Sequence, residues 1–377
     1  MKNISFWERN WLTDYDYVVI GGGIVGSFTA LKIAGENKKA KVALIERGIL
    51  PLGASTKNAG FACFGSISEI EENRKEMSDD NLLSLLELRI RGLEKLRNDL
   101  GDKNISYSNC SGYELFFDNN GLEQRICEIN ELLNPLMDEN CFSMSNKDIK
   151  RFDFAKEIVV GLAKNKYEGS INPGKMIFSL KKKLGSLGVD CYFSTEVESF
   201  EETSKKIFLK LKSRNQSINI TTNKLAICTN AFAKKWFDVE DISPGRGIIL
   251  MTNDLPELKV NSCFHYNEGY YYFRNVGRKL LIGGGREIDK NKETTFSFGI
   301  NKTIRQKLIN DIQTFIIPNM DFNIEFEWSG IMGFGKIKLP LIKKVSENIS
   351  LGVRLGGMGI SIGSIIGEKT ANLILNK

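Results

Sequence analysis

The fold turns on one run near the N-terminus, Asp16-Tyr17-Val18-Val19-Ile20-Gly21-Gly22-Gly23-Ile24-Val25-Gly26. Apolar residues without alternation mark Asp16–Ile20 as a strand buried on both faces. Ser27–Ala34 then takes helical spacing, and Lys41–Glu46 is a second buried strand. Strand, glycine turn, helix, strand is a βαβ unit. In such a unit Gly21 permits the tight turn, Gly23 lets the backbone approach a pyrophosphate, and Gly26 lets the helix pack against the sheet. The pyrophosphate would lie on free N–H groups at a helix end carrying about half a positive charge. Glu46 would accept a ribose hydroxyl and would repel the 2′-phosphate of NADP. These residues imply a dinucleotide and leave NAD and FAD both open.

Composition bounds the rest. The chain has 377 residues, enough for two domains or one interleaved with another. Apolar residues make up 42%, charged residues 26%, and the net charge is +6. Scattered lysines carry that charge, and the densest cluster, Lys181-Lys182-Lys183, reads as a solvated helix face. A nucleic-acid role needs clustered Arg/Lys or a known binding module, and neither is present. The seven cysteines form no CxxC, and His265 is the sole histidine, so no metal site is expected. No apolar run approaches the ~18 residues of a membrane span. Met1–Asn10 lacks an apolar signal-peptide core, so reduced thiols and a cytoplasmic location are expected.

Further along, Asp79–Gly101 is helical, with Leu82, Leu86, Ile90, Leu93, Leu96 and Leu100 on one stripe. Tyr113–Phe117, Glu157–Leu162, Cys191–Phe200, Ile207–Lys212 and Lys224–Thr229 read as strands. Ile171–Leu184 reads as a helix entered at Asn172-Pro173. Tyr270–Arg274 and Lys279–Gly283 form a hairpin. Ile349–Arg354, a glycine-rich turn and a helix over about 361–375 close the chain. Nucleotide-binding elements thus sit at both ends, with strand-rich material between them.

Gly53–Phe61 (GASTKNAGF) resembles the second FAD-contacting motif of the D-amino-acid-oxidase-like FAD-dependent oxidoreductases, the group of glycine oxidase, sarcosine oxidase and γ-glutamylputrescine oxidase. Three further stretches are similar to motifs of that family, in the same order. Ser194–Val197 looks like the strand whose backbone pairs with adenine. Thr229–Phe232 looks like the ATN turn leaving the nucleotide-binding sheet. Gly356–Ile360 with Gly363 looks like the C-terminal motif whose helix end faces the flavin pyrimidine. Asn58–Ser66 (NAGFACFGS) is similar to a bacterial branch of the family.

The resemblance implies an α/β fold. A Rossmann-like FAD-binding domain (1–78, 150–235 and 325–377) would be interleaved with an antiparallel-sheet substrate domain (79–149 and 236–324). It implies FAD contacts at Gly21, Gly23, Ile24, Gly26, Glu46, Arg47, Ser55, Thr56, Asn58, Ala59, Gly60, Phe61, Val197, Thr229, Arg354, Gly356, Gly357, Met358, Gly359 and Ile360. Family members that tether flavin use a His near the second motif or a late Cys. Here Lys57-Asn58 stands at the first place and no Cys follows Cys263, so FAD is expected to be non-covalent. Cys63 is the thiol nearest the expected flavin, as a structural residue or a flavin contact.

In that family a sheet roofs one flavin face. Tyr270 and Tyr272 share one strand face, either orienting a substrate or packing across the sheet. Arg274 and Arg246 either grip a substrate carboxylate or form ordinary ion pairs. His265 is a base or a structural histidine. Amino-acid oxidases of the family carry Trp-x-Gly-x-Arg-Pro, whose Arg holds the substrate carboxylate. The matching run here is Trp328-Ser329-Gly330-Ile331-Met332-Gly333, with Met332 in place of that Arg. Three functions follow as expectations: hydride transfer from a small amine or amino acid to flavin, oxidation of a 2-hydroxy acid, or a flavin-containing binding or modification module. The acceptor that reoxidises the flavin, oxygen or a carrier, stays open. A pyridine-nucleotide disulfide reductase is disfavoured, because it needs a redox Cys pair and a second nucleotide fold.

Overall fold

The computed structural model describes residues 4–118, 121–214, 216–237 and 241–377. The strand Asp14–Ile20 runs parallel to both Val42–Ile45 and Gln216–Ile227. Asp190–Tyr192 and Ile349–Val353 extend this parallel sheet on either side, and Leu341–Lys344 caps one edge antiparallel. The expected βαβ unit is therefore in place. The strand ends carry little exposed surface: Val18, Val19, Ala43, Leu44, Ala226 and Ile227 are all buried.

Two sequence-based strands resolve into longer or divided elements. Lys224–Thr229 belongs to the 12-residue strand Gln216–Ile227, whose first half pairs antiparallel with Ile207–Ser213. Cys191–Phe200 splits, with Asp190–Tyr192 in the parallel sheet and Glu196–Glu202 in the antiparallel meander. Ser194, at φ +54°, makes the turn between them.

The second sheet has eight strands, in the order Ile324–Phe334, Ser243–Thr252, Lys279–Gly284, Tyr271–Val276, Cys263–Tyr266, Gly112–Phe116, Gly161–Asn165 and Phe142–Met144. It was expected to be antiparallel. One pair departs from that, because Cys263–Tyr266 runs parallel to Gly112–Phe116. The chain leaves Gly112–Phe116 for a long excursion and returns in the same direction, a pairing with no local sequence signal.

Sheet membership crosses the expected domain boundaries at two strands. Gly161–Asn165 and Ile324–Phe334 both lie in the mixed sheet. The helix Asp79–Leu100 also bridges: Leu93, Leu96 and Leu100 join the core of the nucleotide-binding sheet, while Leu82 and Leu86 join a separate cluster with Ile67 and Phe142. Close approach at Gly92 makes this possible, because a Cβ there would stand 2.2 Å from the Ser361 carbonyl oxygen.

Alternation gives the mixed sheet two unlike faces. Tyr113, Phe264, Phe273, Ile248, Leu250 and Ile282 point to a core closed by the helix Lys302–Asp311. His265, Tyr272, Ile249, Leu281, Trp328 and Met332 occupy the opposite face, by the cross-strand registers His265↔Tyr272, Tyr272↔Gly283 and Gly245↔Met332. The loop at 57–61 docks on that face.

Candidate active site

A cleft lies at the carboxyl ends of Asp14–Ile20 and Val42–Ile45, where α/β sheets bind ligands. It holds about 1290 Å³ of empty space, its open mouth included, and is lined mostly by apolar atoms and backbone. Its walls bring together Gly21, Gly23, Ile24, Glu46, Arg47, Ser55, Asn58, Val197, Thr229, Gly356, Gly357, Gly359 and Ile360. These residues come from six separate stretches of the chain.

The glycine turn is built as its sequence required. Gly21 has φ +108°, and a Cβ there would stand 2.6 Å from the Cys228 carbonyl oxygen. At Gly26 a Cβ would stand 1.9 Å from the Gly21 oxygen, so only glycine lets the helix Ile24–Glu36 begin there. Ser55 Oγ accepts the Ile24 N–H at 3.0 Å, which ties the second motif to the first. The Glu46 carboxylate is buried and accepts the N–H groups of Gly22 and Gly48, each at 2.9 Å. Those bonds orient it while leaving lone pairs for a ligand hydroxyl.

The far end of the cleft is a second helix terminus. The helix Gly359–Leu375 starts with no side-chain cap. The N–H groups of Gly359, Ile360 and Ser361 have no acceptor among the described residues. Side-chain positions at Gly356, Gly357 and Gly359 face open space. Two further polar atoms on the cleft wall, Thr229 Oγ1 and Trp236 Nε1, are buried with no hydrogen-bond partner among the described residues. Buried donors of this kind are normally paired, and their alignment along one groove suits a polar ligand. Two positively polarised helix ends, a buried carboxylate and a long apolar groove fit FAD.

Several expected contacts instead hold the loops in place. Thr56 Oγ1 donates to the Pro51 and Gly53 oxygens. Asn58 Nδ2 donates to the Ala54 and Ser55 oxygens, and its Oδ1 accepts the Gly60 N–H. Ala59, Gly60 and Phe61 lie against the mixed sheet rather than on the cleft wall. Arg354 turns away to Asp241 and to the Leu339 oxygen, and Met358 caps the terminal helix. Gly26 is closed against the Gly21 oxygen. Phe232, Lys235 and Trp236 also line the cleft, beyond the contacts expected from sequence. Arg47 lies over the Phe232 ring at 4.1 Å. Their signal was the ATN turn, which carries the chain past Asn230 straight along the groove.

The expected substrate residues separate clearly. Met332 lines the cleft. Tyr272 sits on the same sheet face, its ring over Gly283, where a Cβ would stand 2.6 Å from it. Tyr270 is 44% exposed and precedes its strand. Arg246 points to the opposite face and is closed by Glu293 through two 2.8 Å bonds. Arg274 spends its donors on the backbone oxygens of Ala59, Ile171 and Asn275. Neither arginine is available to grip a carboxylate, and both act by holding loops. His265 is packed under Phe61, with ring centroids 5.0 Å apart. Its Nε2 has no hydrogen-bond partner among the described residues, and burial lowers its pKa to about 4. It is a neutral, enclosed histidine at physiological pH. Cys63 is buried beside Glu168 and away from the cleft wall, with burial pushing its thiol up.

Comparison with known proteins agrees with this architecture. Glycine oxidase of Bacillus subtilis is 22% identical over 367 residues, covering 96% of this chain and 94% of that protein. L-proline dehydrogenase from P. horikoshii superposes with a TM-score of 0.78 at 17% identity, over 97% of this chain and 94% of that one. Iminodiacetate oxidase from Chelativorans sp. BNC1 gives a TM-score of 0.77 at 17% identity, over 96% and 95%. Residues 16–373 match the DAO family, described as FAD dependent oxidoreductase, and the chain belongs to that family of FAD-dependent enzymes.

Proposed function

We propose that this enzyme oxidises a C–N bond of a small amine or amino acid, with FAD bound non-covalently in the cleft. Bound FAD supplies a two-electron acceptor that takes a hydride from the substrate carbon. The Gly23–Gly26 turn and the Ile24 helix end would hold the pyrophosphate, and Glu46 the adenosine ribose. The free N–H groups of Gly359, Ile360 and Ser361 would stabilise negative charge on the reduced pyrimidine ring.

The observation that carries the C–N reading is the lack of an available base among the described residues of the cleft wall. His265 is enclosed and neutral, and the carboxylates on the cleft wall are engaged, Glu46 by backbone and Glu196 by Lys235 at 2.8 Å. A neutral amine brings its own lone pair to form C=N as hydride leaves, and its N–H proton passes to water. An alcohol needs a base to take the hydroxyl proton. The relatives named glycine oxidase, iminodiacetate oxidase and L-proline dehydrogenase support the same choice.

The parallel sheet would serve as the cofactor unit and the mixed sheet as the substrate unit, with Gly161–Asn165 and Ile324–Phe334 counted in the latter. All seven cysteines are free, which suits the reducing cytoplasm. No helix among the described residues is long and apolar enough to cross a membrane. Anaerobic mixing of the FAD-loaded protein with amines and amino acids tests the function. Bleaching of the visible flavin band is expected. Bleaching by 2-hydroxy acids alone would transfer the assignment to C–OH oxidation.

A further inference from the structure

The guanidinium groups of the mixed sheet and beside the cleft are of two kinds. Arg246 is closed by Glu293, Arg274 by backbone oxygens, and Arg354 by Asp241 and Leu339. Arg286 differs from all three. It is half-buried, and its guanidinium lies over the Phe334 ring at 4.2 Å. Among the described residues it makes no ion pair and no hydrogen bond. Glu287 and Glu293 lie within electrostatic range without contacting it. A guanidinium has five N–H donors in a planar fork, and partial burial without an acceptor is costly. Such a group is held ready for an anion that the protein does not itself provide.

Its position says which anion. Arg286 follows the strand Lys279–Gly284, next to Ser243–Thr252 in the sheet. Arg286 Nη1 lies 3.4 Å from where a Gly245 side chain would begin. Gly245 is the cross-strand partner of Met332, which lines the cleft. Gly247 shares that face, and a Cβ there would meet only the Met332 terminal methyl within 4 Å. The Phe334 ring lies over Gly245, 2.3 Å from where a side chain there would begin, so Arg286 with Phe334 over Gly245 and the Met332 methyl over Gly247 border one strip of the same sheet face. Met332 stands where the amino-acid oxidases resembling this chain place their carboxylate-binding arginine. The cation missing from that strand is present beside it, on the far side of Gly245.

We propose that Arg286 binds the substrate carboxylate, so that the substrate is an amino acid rather than a simple amine. The inference rests on the C–N oxidase reading for its substrate class. Stacking on Phe334 fixes the guanidinium plane, and the fork then takes both carboxylate oxygens. This places the amino group and its Cα–H toward Met332 and the cleft.

The test uses the FAD-loaded protein, its R286M and R286K variants, and unreactive carboxylates (acetate, propionate and benzoate) with their neutral amides as controls. Binding is read as a saturable shift of the oxidised flavin spectrum, which needs no turnover. In the unmodified protein at least one carboxylate should bind and its amide should not. R286M should weaken that binding about 30-fold or more, and R286K, which keeps charge but loses the fork, by less. Melting temperature and the ligand-free flavin spectrum should stay unchanged in R286K, which separates loss of the anchor from loss of the fold. No response to any carboxylate, or equal affinity in R286M, overturns the proposal. If amines bleach the flavin as readily as their parent amino acids, the anchor fails and C–N oxidation stands. If carboxylates bind through Arg286 but no amine or amino acid bleaches the flavin, the anchor stands and C–N oxidation fails.

Discussion

The Arg274 guanidinium donates from Nε to the Ala59 backbone oxygen at 2.6 Å, which pins the second cofactor motif to the mixed sheet. Its Nη2 holds the Ile171 oxygen at 3.1 Å, and Gly60 lies directly against it. Replacing Arg274 by Met leaves at least two buried carbonyls unpaired, at about 1–3 kcal/mol each. The expected outcome is a lower melting temperature and faster FAD release. Affinity for carboxylate ligands in protein that retains FAD should not change. Thermal melts followed by flavin fluorescence give the first two, and carboxylate titration the third.

Two glycines on one helix should respond in opposite directions. Gly26→Ala forces a Cβ to 1.9 Å from the Gly21 oxygen, while at Gly35 nothing lies within 4 Å. The first substitution should abolish FAD retention and destabilise the fold by more than about 3 kcal/mol. Gly35→Ala should stabilise it by about 0.5–1 kcal/mol through helix propensity. Denaturant unfolding of both variants measures the contrast.

Trp236 Nε1 is a buried donor on the cleft wall with no hydrogen-bond partner among the described residues. If its partner is the cofactor, Trp236→Phe should weaken FAD binding about tenfold, the loss of roughly one hydrogen bond. The FAD-free protein should keep its melting temperature within a few degrees, because there the donor has no bond to lose. Isothermal titration of FAD into stripped protein, beside melts of that same protein, separates the two effects.

Burial raises the Glu168 carboxyl to about 8 and the nearby Glu114 to about 7, while it lowers His265 to about 4. Glu168 accepts the Phe64 and Gly65 N–H groups, and His265 Nε2 lies 3.8 Å away. Between the ordinary carboxylate pKa, about 4.5, and about 8 the folded chain holds a proton at Glu168 that the unfolded chain has lost. That contribution to stability therefore falls as pH rises, by at most about 1.4 kcal/mol per pH unit. His265 acts in the opposite sense below about 6.5, where the unfolded chain binds the extra proton. Glu168→Gln should flatten the decline between pH 6.5 and 8 and steepen the rise with pH between about 4.5 and 6.5, where Glu168 offsets His265. Denaturant midpoints across pH 4–9 check both arms.

The N-terminal βαβ unit, the helix Asp79–Leu100, the hairpin near Gly277 and the terminal helix were all legible in sequence. Each is coded by local periodicity and by the turn residues that bound it. The cofactor was legible for a related reason. Gly21, Gly23 and Gly26 act through the backbone they permit, and Glu46 through its place at a strand end. Residues such as Thr56, Asn58 and Arg354 sit inside the same motifs yet spend their polar groups on neighbouring loops. Sequence spacing does not distinguish a ligand contact from a loop brace.

The substrate side was decided by cross-strand register. Arg246 and Met332 lie in neighbouring strands, yet the alternation of each strand sends Arg246 to the buried core and Met332 to the cleft. Which arginine remains unpaired depends on where Glu293, Ala59, Ile171 and Asp241 come to rest, all distant in the chain. Phosphate-binding turns are local, so the strand-and-glycine pattern alone established a dinucleotide site, and motifs at both ends of the chain narrowed it to FAD. A substrate pocket is made of side chains from remote strands, so its charges are known only after those strands have paired.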